Sequence, residues 1–338
     1  MMRMATNMSD EQLPVVKFCS QNLKSGTEEW VSTTKKVREA LEEYGCFVAL
    51  YDTVSAEVSS NMFDSLKELF DEVPLERKLQ NVSEKPYHGY FGQNPLMPIH
   101  ESMGIEHPIL PTNINSFTNL MWPSRGNHSF RENVTAYANL VSELDKRVKS
   151  MVFESYGVGN ALRSHMESTK YLMRMIKYRV PKEKEMNLGA FPHTDKSFLT
   201  ILHQNEVNGL QIKTRDNKWI QYHPFSSSST SSFIVMAGDA FFAWSNGRIY
   251  SPPHRVIMSG NKERYSVGLF SFNNGIVQIP KELVDDKHPQ LFKPFDHQDY
   301  LRFYSTERGQ NSPCAIKAYC GVGNSLVDTD TRSPLLLH

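Results

Sequence analysis

His193 and Asp195 stand two apart in FPHTDKSFLTILHQN (191–205), where a polar turn runs into an apolar, strand-like segment. In an extended chain, residues i and i+2 point to the same face, roughly 6.5–7 Å apart. The imidazole and the carboxylate can then converge on one cation at the mouth of the strand. Such a pair suits first-row divalent metals, and no thiolate lies nearby to favour structural zinc. The spacing alone is common. His297-Gln298-Asp299 repeats it in a polar, helix-like tail. There, i and i+2 diverge by about 200° around a helix axis, so that copy is read as surface. What sets His193 apart lies downstream. SPPHRV supplies His254 just ahead of another apolar run, and KERYSVGLF supplies Arg264 and Ser266, again i and i+2. A guanidinium inside an apolar strand is unfavourable unless it meets an anion. No fixed carboxylate is an obvious partner. A carboxylate ligand is expected to fill the fork, with the Ser266 hydroxyl as a further donor. His, carboxylate and His occupy three positions of an octahedral ion and leave three open. That ligand set points to non-haem Fe(II) oxygen chemistry.

The elements that must position these groups are legible in outline. LPVVKF (13–18) reads as a strand, and Gly26-Thr27 opens a helix through about Glu43 with Trp30, Val37, Leu41 and Tyr44 at helical spacing. CFVAL (46–50) is a strand. A second helix carries Met62, Phe63, Leu66 and Phe70 on one face and ends near Pro74. The segment 84–126, rich in Pro, Gly, His and aromatics, is expected to be ordered loop and short strands. A third helix is expected to start at Ser129, with Ser129 and Glu132 as a capping box. From about residue 168, short apolar runs alternate with turns: YLMRMIKYRV, FLTIL, GLQIK, WIQYH, FIVMA, AFFAW, HRVIM, YSVGLF. No helix is expected among them, which is the pattern of an antiparallel sandwich or barrel. Ser226–Ser232 reads as a solvent-exposed loop, and about 295–309 as helical. The fold class is therefore mainly β with α: a double-sheet barrel wrapped by N-terminal and C-terminal helices. Residues 1–165 form the N-terminal region, 166–315 the barrel and 316–338 a C-terminal tail.

Bulk properties exclude several classes. Lysine plus arginine equals aspartate plus glutamate at 37 each, so the formal net charge is zero. A binder of nucleic acid or anionic membrane needs a basic surplus. The N-terminus lacks the apolar core of a signal peptide, and no apolar run reaches membrane-spanning length. Cys19, Cys46, Cys314 and Cys320 form no framework and read as free thiols in a reducing cytoplasm. The sequons at Asn81 and Asn133 then carry no glycan. A monomer is expected.

Taken in order, LPVVKF, HTDKSFLTILHQN, NGLQ (208–211), AGD (237–239), SNGRIYSPPHRV (245–256) and ERYSVGLFSF (263–272) resemble the plant soluble 2-oxoglutarate- and Fe(II)-dependent dioxygenases over nearly the whole chain. PIHESMGI (98–105) and YLMRMIKYR (171–179) are most similar to the AOP-like branch. The resemblance implies a double-stranded β-helix with Fe(II) at its mouth, held by His193, Asp195 and His254. It also implies that Arg264 and Ser266 clamp the distal carboxylate of 2-oxoglutarate, with Tyr178 beside it. Many relatives carry Asn two residues before that tyrosine; here the position is Ile176. Phe270 falls where the organic substrate is often met, and Phe272 and Met121 are further candidates. His88, Tyr90 and Trp122 are candidate pocket lining, and His203 reads as a core histidine. The implied reaction takes O2 and 2-oxoglutarate, with ascorbate as reductant. It oxidises, most simply hydroxylates, a small plant specialised metabolite or hormone and yields succinate and CO2. Two other readings stand beside it: an iron-dependent oxidase of the same fold that does not use 2-oxoglutarate, and a catalytically silent jelly-roll binding protein.

Overall fold

Alternation along the strands decides what the interior contains. The computed structural model describes residues 8–18, 23–124, 126–225 and 230–323. The strands are β1 (Val15–Lys17), β2 (Cys46–Tyr51), β3 (His100–Glu106), β4 (Thr169–Tyr178), β5 (Leu188–His193), β6 (Leu199–Gln204), β7 (Leu210–Lys213), β8 (Trp219–Gln221), β9 (Ser231–Ala237), β10 (His254–Ile257) and β11 (Arg264–Asn273). Seven form one sheet in the order β1-β2-β9-β6-β11-β4-β3, and four form a second, β5-β10-β7-β8. β1 and β2 pair in parallel; every other pair within these two sheets is antiparallel. The two sheets make a double-stranded β-helix, mainly β with α, as the sequence suggests.

The large sheet is apolar on its helix-facing side. Tyr265, Val267 and Leu269 of β11, Tyr171, Met173 and Met175 of β4, and Phe47, Ala49 and Tyr51 of β2 join one core with the helices. The alternate residues face the second sheet, where Val48, Ile234 and Met236 meet Leu210, Ile212 and Val256. On β4 and β11 this inner face is not purely apolar: it presents Arg174 and Tyr178 from β4, and Arg264, the register partner of Tyr178, and Ser266 from β11.

Helices Glu28–Glu43 and Ala56–Glu72 are capped by Thr27 and Ser55, whose side chains accept from the Trp30 and Val58 N–H groups. The long helix His128–Ser155 starts one residue before the expected Ser129, and its cap is Asn127, whose Oδ1 accepts from the Phe130 N–H at 2.9 Å. Glu132 pairs instead with exposed His128, so no capping box forms. This helix is tied to β4 by the Tyr171 hydroxyl, which donates at 2.8 Å to Asp145, itself held in a buried ion pair with Lys149 of the same helix at 2.9 Å.

Four further expectations need correction. The 84–126 segment contains not only β3 but a helix, Pro111–Met121, with Pro at its first position and Ile114, Phe117, Thr118 and Met121 buried at helical spacing. AFFAW lies in a short helix, Asp239–Trp244, and is not a strand. The last serines of the 226–232 run are not loop: Ser231 and Ser232 open β9, while 226–229 lie outside the described residues. His297 is not a surface residue. It opens the helix His297–Tyr304 with no exposure, accepts from the Asn273 N–H at Nδ1 (3.0 Å) and donates from Nε2 to the Lys196 carbonyl (2.8 Å).

β1, β2 and β3 come from the first 165 residues and pair into the same sheet as the jelly-roll strands. The helix Ala315–Cys320 crosses the expected boundary at 315/316. Cys46 and Cys320 are buried free thiols and Cys314 is half-buried; Cys19 lies outside the described residues. No described helix is long and apolar enough to cross a membrane.

Buried neutral histidines make stability depend on pH. Burial pulls His203 down to about 3, and His100 and His297 to about 4. An unfolded histidine titrates near about 6.5. Below that value the unfolded chain takes up protons that the folded protein refuses, so stability is full above it and falls as pH drops toward the folded values. The urea midpoint of the metal-free protein should decline between about pH 6.5 and 5, above the range where carboxylates titrate. A midpoint that is flat over that interval would contradict this.

Candidate active site

β5 ends at His193, and Asp195 lies beyond it in the loop to β6 rather than on the strand itself. His254 is the first residue of β10 and pairs directly with His193. The register slips between His254–His193 and Val256–Ala190, so β5 carries one extra residue there. Pro192, which cannot donate to a ladder, sits inside that bulge, where the loss is harmless. The bulge re-aims the end of β5, and Ala190 and His193, of opposite parity, both serve the interior.

The three side chains meet. One donor atom each from His193, Asp195 and His254 lies within 4.8 Å of the other two. Asp195 Oδ1 is 3.9 Å from His193 Nε2 and 3.6 Å from His254 Nε2. Their protonation follows from their outer contacts. His193 Nδ1 is 2.7 Å from the Phe191 carbonyl and His254 Nδ1 is 3.2 Å from the Pro252 carbonyl. A carbonyl only accepts, so each Nδ1 carries the proton and each Nε2 presents its lone pair to the centre. Burial, then neighbouring His254, pulls His193 down to about 4, so it stays neutral at neutral pH. Asp195 and His254 are buried while His193 is partly open, so access is from the His193 side.

Two devices fix the loop. Thr200 donates to Asp195 Oδ2 at 2.6 Å, leaving Oδ1 for the centre. Thr194 and Lys196 alternate away from it and donate to Asp239 Oδ2 at 3.0 and 2.8 Å. Tyr300 and Ser251 add hydroxyl donors to Asp239, and its N–H donates to the Asp195 carbonyl at 2.8 Å. Burial alone would raise the Asp239 pKa; the Lys196 ammonium and the hydroxyls outweigh it and hold the carboxylate ionised. Gly238 is required beside it, because a Cβ there would meet the Ser197 carbonyl at 2.0 Å.

Arg264 is 1% exposed. Its Nη2 donates to Gln204 Oε1 at 2.7 Å and its Nη1 to Ser266 Oγ at 3.3 Å. Gln204 is oriented for this by its own amide N–H, which donates to the Val207 carbonyl. The guanidinium lies 5.0 Å from the Tyr178 ring centre. Its Nε has no partner, and among the described residues no acid pairs with it. Burial lowers its pKa. A buried guanidinium with neutral neighbours and an unfilled N–H fits the carboxylate that the sequence calls for. The histidine, carboxylate and histidine donors likewise fit a six-coordinate Fe(II).

Phe270 faces the interior between Leu172 and Thr200, and Phe272 follows on the same face against His88 and His297. Ile176 sits between Ser266 and Ser102 and offers no hydrogen bond. Met121 does not reach this interior: with Trp122 it packs in the core on the helix side of the large sheet. Thr200, Gln204 and the Lys196–Asp239 brace escape a reading from sequence. Only the strand register could have found Thr200 and Gln204, which are inner-face residues of β6.

Residues 169–273 match the 2OG-Fe(II) oxygenase superfamily, and residues 13–102 match the N-terminal region of non-haem dioxygenases described from morphine synthesis. The chain is 44% identical over 316 residues to the probable 2-oxoglutarate-dependent dioxygenase AOP1 of Arabidopsis thaliana, covering 91% of this chain and 95% of the relative. It is 33% identical to the 2-oxoglutarate-dependent dioxygenase AOP3 of the same plant, covering 92% and 98%. Among solved structures it is similar to the Arabidopsis thaliana dioxygenase for auxin oxidation 1 in its 2-oxoglutarate complex, with TM-score 0.73, 27% identity and coverage of 82% and 100%. The rice dioxygenase for auxin oxidation gives TM-score 0.76 and 26% identity, covering 92% and 100%.

Thr200→Val keeps the shape and removes the donor to Asp195. Affinity for Co(II), followed by its absorption, should fall about 10- to 100-fold. A change under about threefold would show that Thr200 does not orient the carboxylate.

Proposed function

Because this chain belongs to the plant 2-oxoglutarate- and Fe(II)-dependent dioxygenases, in their AOP-like branch, we propose that His193, Asp195 and His254 hold its iron and that Arg264, Ser266 and Gln204 hold the distal carboxylate of 2-oxoglutarate. The enzyme uses Fe(II), 2-oxoglutarate and O2 on a small-molecule substrate. When bound, the iron supplies O2 activation coupled to decarboxylation of the keto acid to succinate and CO2, which drives oxidation of a substrate C–H bond.

The observation that carries the residue assignment is the Arg264 guanidinium, buried among neutral groups on the same interior as a three-donor cluster. Asp195 cancels one of the two charges of the ion, and the site then welcomes a dianion. Gln204 and Ser266 fix the fork, and the Tyr178 face covers it. The metal end of the keto acid gains no hydrogen bond from Ile176. Thr200 and the Asp239 brace keep the Asp195 loop still, so that ligand positions open toward the partly exposed His193 side. Phe270 and Phe272 form an apolar wall that excludes water from the reacting carbon and shapes the organic substrate.

The substrate on this reading is a plant specialised metabolite or hormone. Auxin is the first compound to try, because two structural relatives carry auxin oxidation in their names. Residues 166–315 carry the chemistry, 1–165 wrap and complete the sheet, and 316–338 form a tail. The enzyme works as a cytoplasmic monomer with ascorbate as reductant.

Succinate formation with Fe(II), ascorbate and 2-oxoglutarate, on a plant metabolite panel read by mass shift, tests this. Asp195→Ala should abolish it. Arg264→Gln should raise the KM for 2-oxoglutarate about 30-fold or more. Oxygen uptake without keto acid, or a KM indifferent to Arg264, would contradict the assignment.

A further inference from the structure

A second arginine faces the same interior. Arg174 on β4 is flanked in register by Gly104 of β3 and Gly268 of β11. It stands one inner-face position from Ile176 and Ser266 on one side, and one from Leu172 and Phe270 on the other. It therefore occupies the level between the Arg264 clamp and the wall beside Thr200, which holds Asp195.

All its partners are neutral. Nη1 donates to the carbonyls of Tyr87 and Gly89, and Nη2 donates to Ser102 Oγ. The chain continues without charge: Ser102 Oγ lies 3.1 Å from His100 Nε2, and His100 Nδ1 donates to the Gly189 carbonyl at 2.9 Å. The acid that shares this face, Glu106, is taken by Lys85 and Ser83. No acid pairs with Arg174 among the described residues. The guanidinium lies deep enough that burial lowers its pKa to about 10, while the residue as a whole keeps partial exposure. Three of its N–H groups are used. The Nε–H and one Nη2–H remain, and these form the edge of a guanidinium that grips an oxyanion with two parallel bonds.

The count of charge points the same way, and it rests on the iron and keto-acid reading above. Two guanidiniums and a divalent ion face one carboxylate, Asp195. The dianionic keto acid then leaves one positive charge without a partner, and that charge sits at Arg174. A partly buried cation that has hydrogen-bond acceptors but no counter-ion favours a ligand that brings a negative charge.

We propose that Arg174 reads an anionic head group, a carboxylate or sulfate-like group, on the organic substrate and so makes the enzyme select organic anions over their neutral counterparts. The segment 87–89, pinned over Arg174 by its own carbonyls, closes that subsite from above. Gly104 is needed for this fit, because a Cβ there would meet the His88 carbonyl at 1.9 Å.

The test uses the full chain, loaded anaerobically with Fe(II) and 2-oxoglutarate. The readout is perturbation of the visible band of the bound keto acid. The probes are matched sets of small aryl and alkyl carboxylates, the corresponding sulfonates, and the primary amides. Acids should perturb the band at concentrations about 30-fold or more below their amides. Arg174→Gln should erase that preference while still giving the band, and Arg174→Lys should keep part of it. A merely structural role would weaken acids and amides alike. Equal response to acids and amides in the wild type, no response to any acid, or a preference unchanged in Arg174→Gln would overturn the proposal. The carboxylate and sulfonate arms decide which head group is preferred. If Arg174→Gln fails to fold, the wild-type comparison of acids with amides decides alone. A wild type without the band would sink the keto-acid site, and this inference with it; a normal band without acid preference would sink this inference only.

Discussion

Arg264 is buried at 1% exposure against Gln204, Ser266 and the Tyr178 ring, and none of the three carries charge. Such a guanidinium costs several kcal/mol when left unpaired, so the folded protein holds it there at the expense of stability. The alternation of β11 makes this unavoidable. Tyr265, Val267 and Leu269 must face the helices to build the main core, which turns Arg264 and Ser266 inward. The interior is thus polarised by the same strand that anchors the hydrophobic core. A diacid with one end on the fork and the other on a cation would resolve the conflict, which is the reading proposed for this site.

The three-donor cluster is positioned by a different principle. Asp195 has left the strand, and a carboxylate in a loop has no intrinsic orientation. The sequence around it supplies one by parity: 193 and 195 turn to the centre, while 194 and 196 turn to Asp239. Asp239 in turn binds Tyr300 from the C-terminal helix and Ser251 just before β10. His297 adds a second tie, joining the end of β11 to the Lys196 carbonyl. The helix that opens at His297 is therefore part of the machinery that holds the donor set, although it contributes no donor. Preorganisation of this kind is what tightens metal binding and keeps a reacting carbon in place.

Much of this could be read from the chain alone, and the failures have physical causes. Most strands from 169 to 273 are legible because each shows a dense apolar run between turns; β5, LGAFPH, is not, since its glycine and proline break such a run, and Asp195 lies in the loop beyond it rather than on a strand with His193. The donors were legible because a charged residue in such a run demands an explanation. His297 was misread because its local sequence is polar, and its burial comes from β11 and the Lys196 loop, which are distant in sequence. AFFAW looked like a strand because a short apolar run carries no period long enough to separate helix from strand. The helix at 111–121 was hidden by the proline that starts it, a residue that reads as loop until its N1 position is known. Met121 was a reasonable pocket residue by type, but its helix stacks on the outer face of the sheet. Arg174 lies within YLMRMIKYR with no role legible from sequence, since only the register with Gly104 and Gly268 shows that it shares an interior with Arg264.

The most direct measurement is an anaerobic crystal structure of the protein with Fe(II) and 2-oxoglutarate. The account predicts one metal ligated by His193 and His254 through Nε2 and by Asp195 through Oδ1. It predicts the far carboxylate of the keto acid on the Arg264 fork, with the Nε–H now bonded. A metal bound elsewhere, or an Arg264 that swings to a protein acid and leaves the keto acid free, would contradict it.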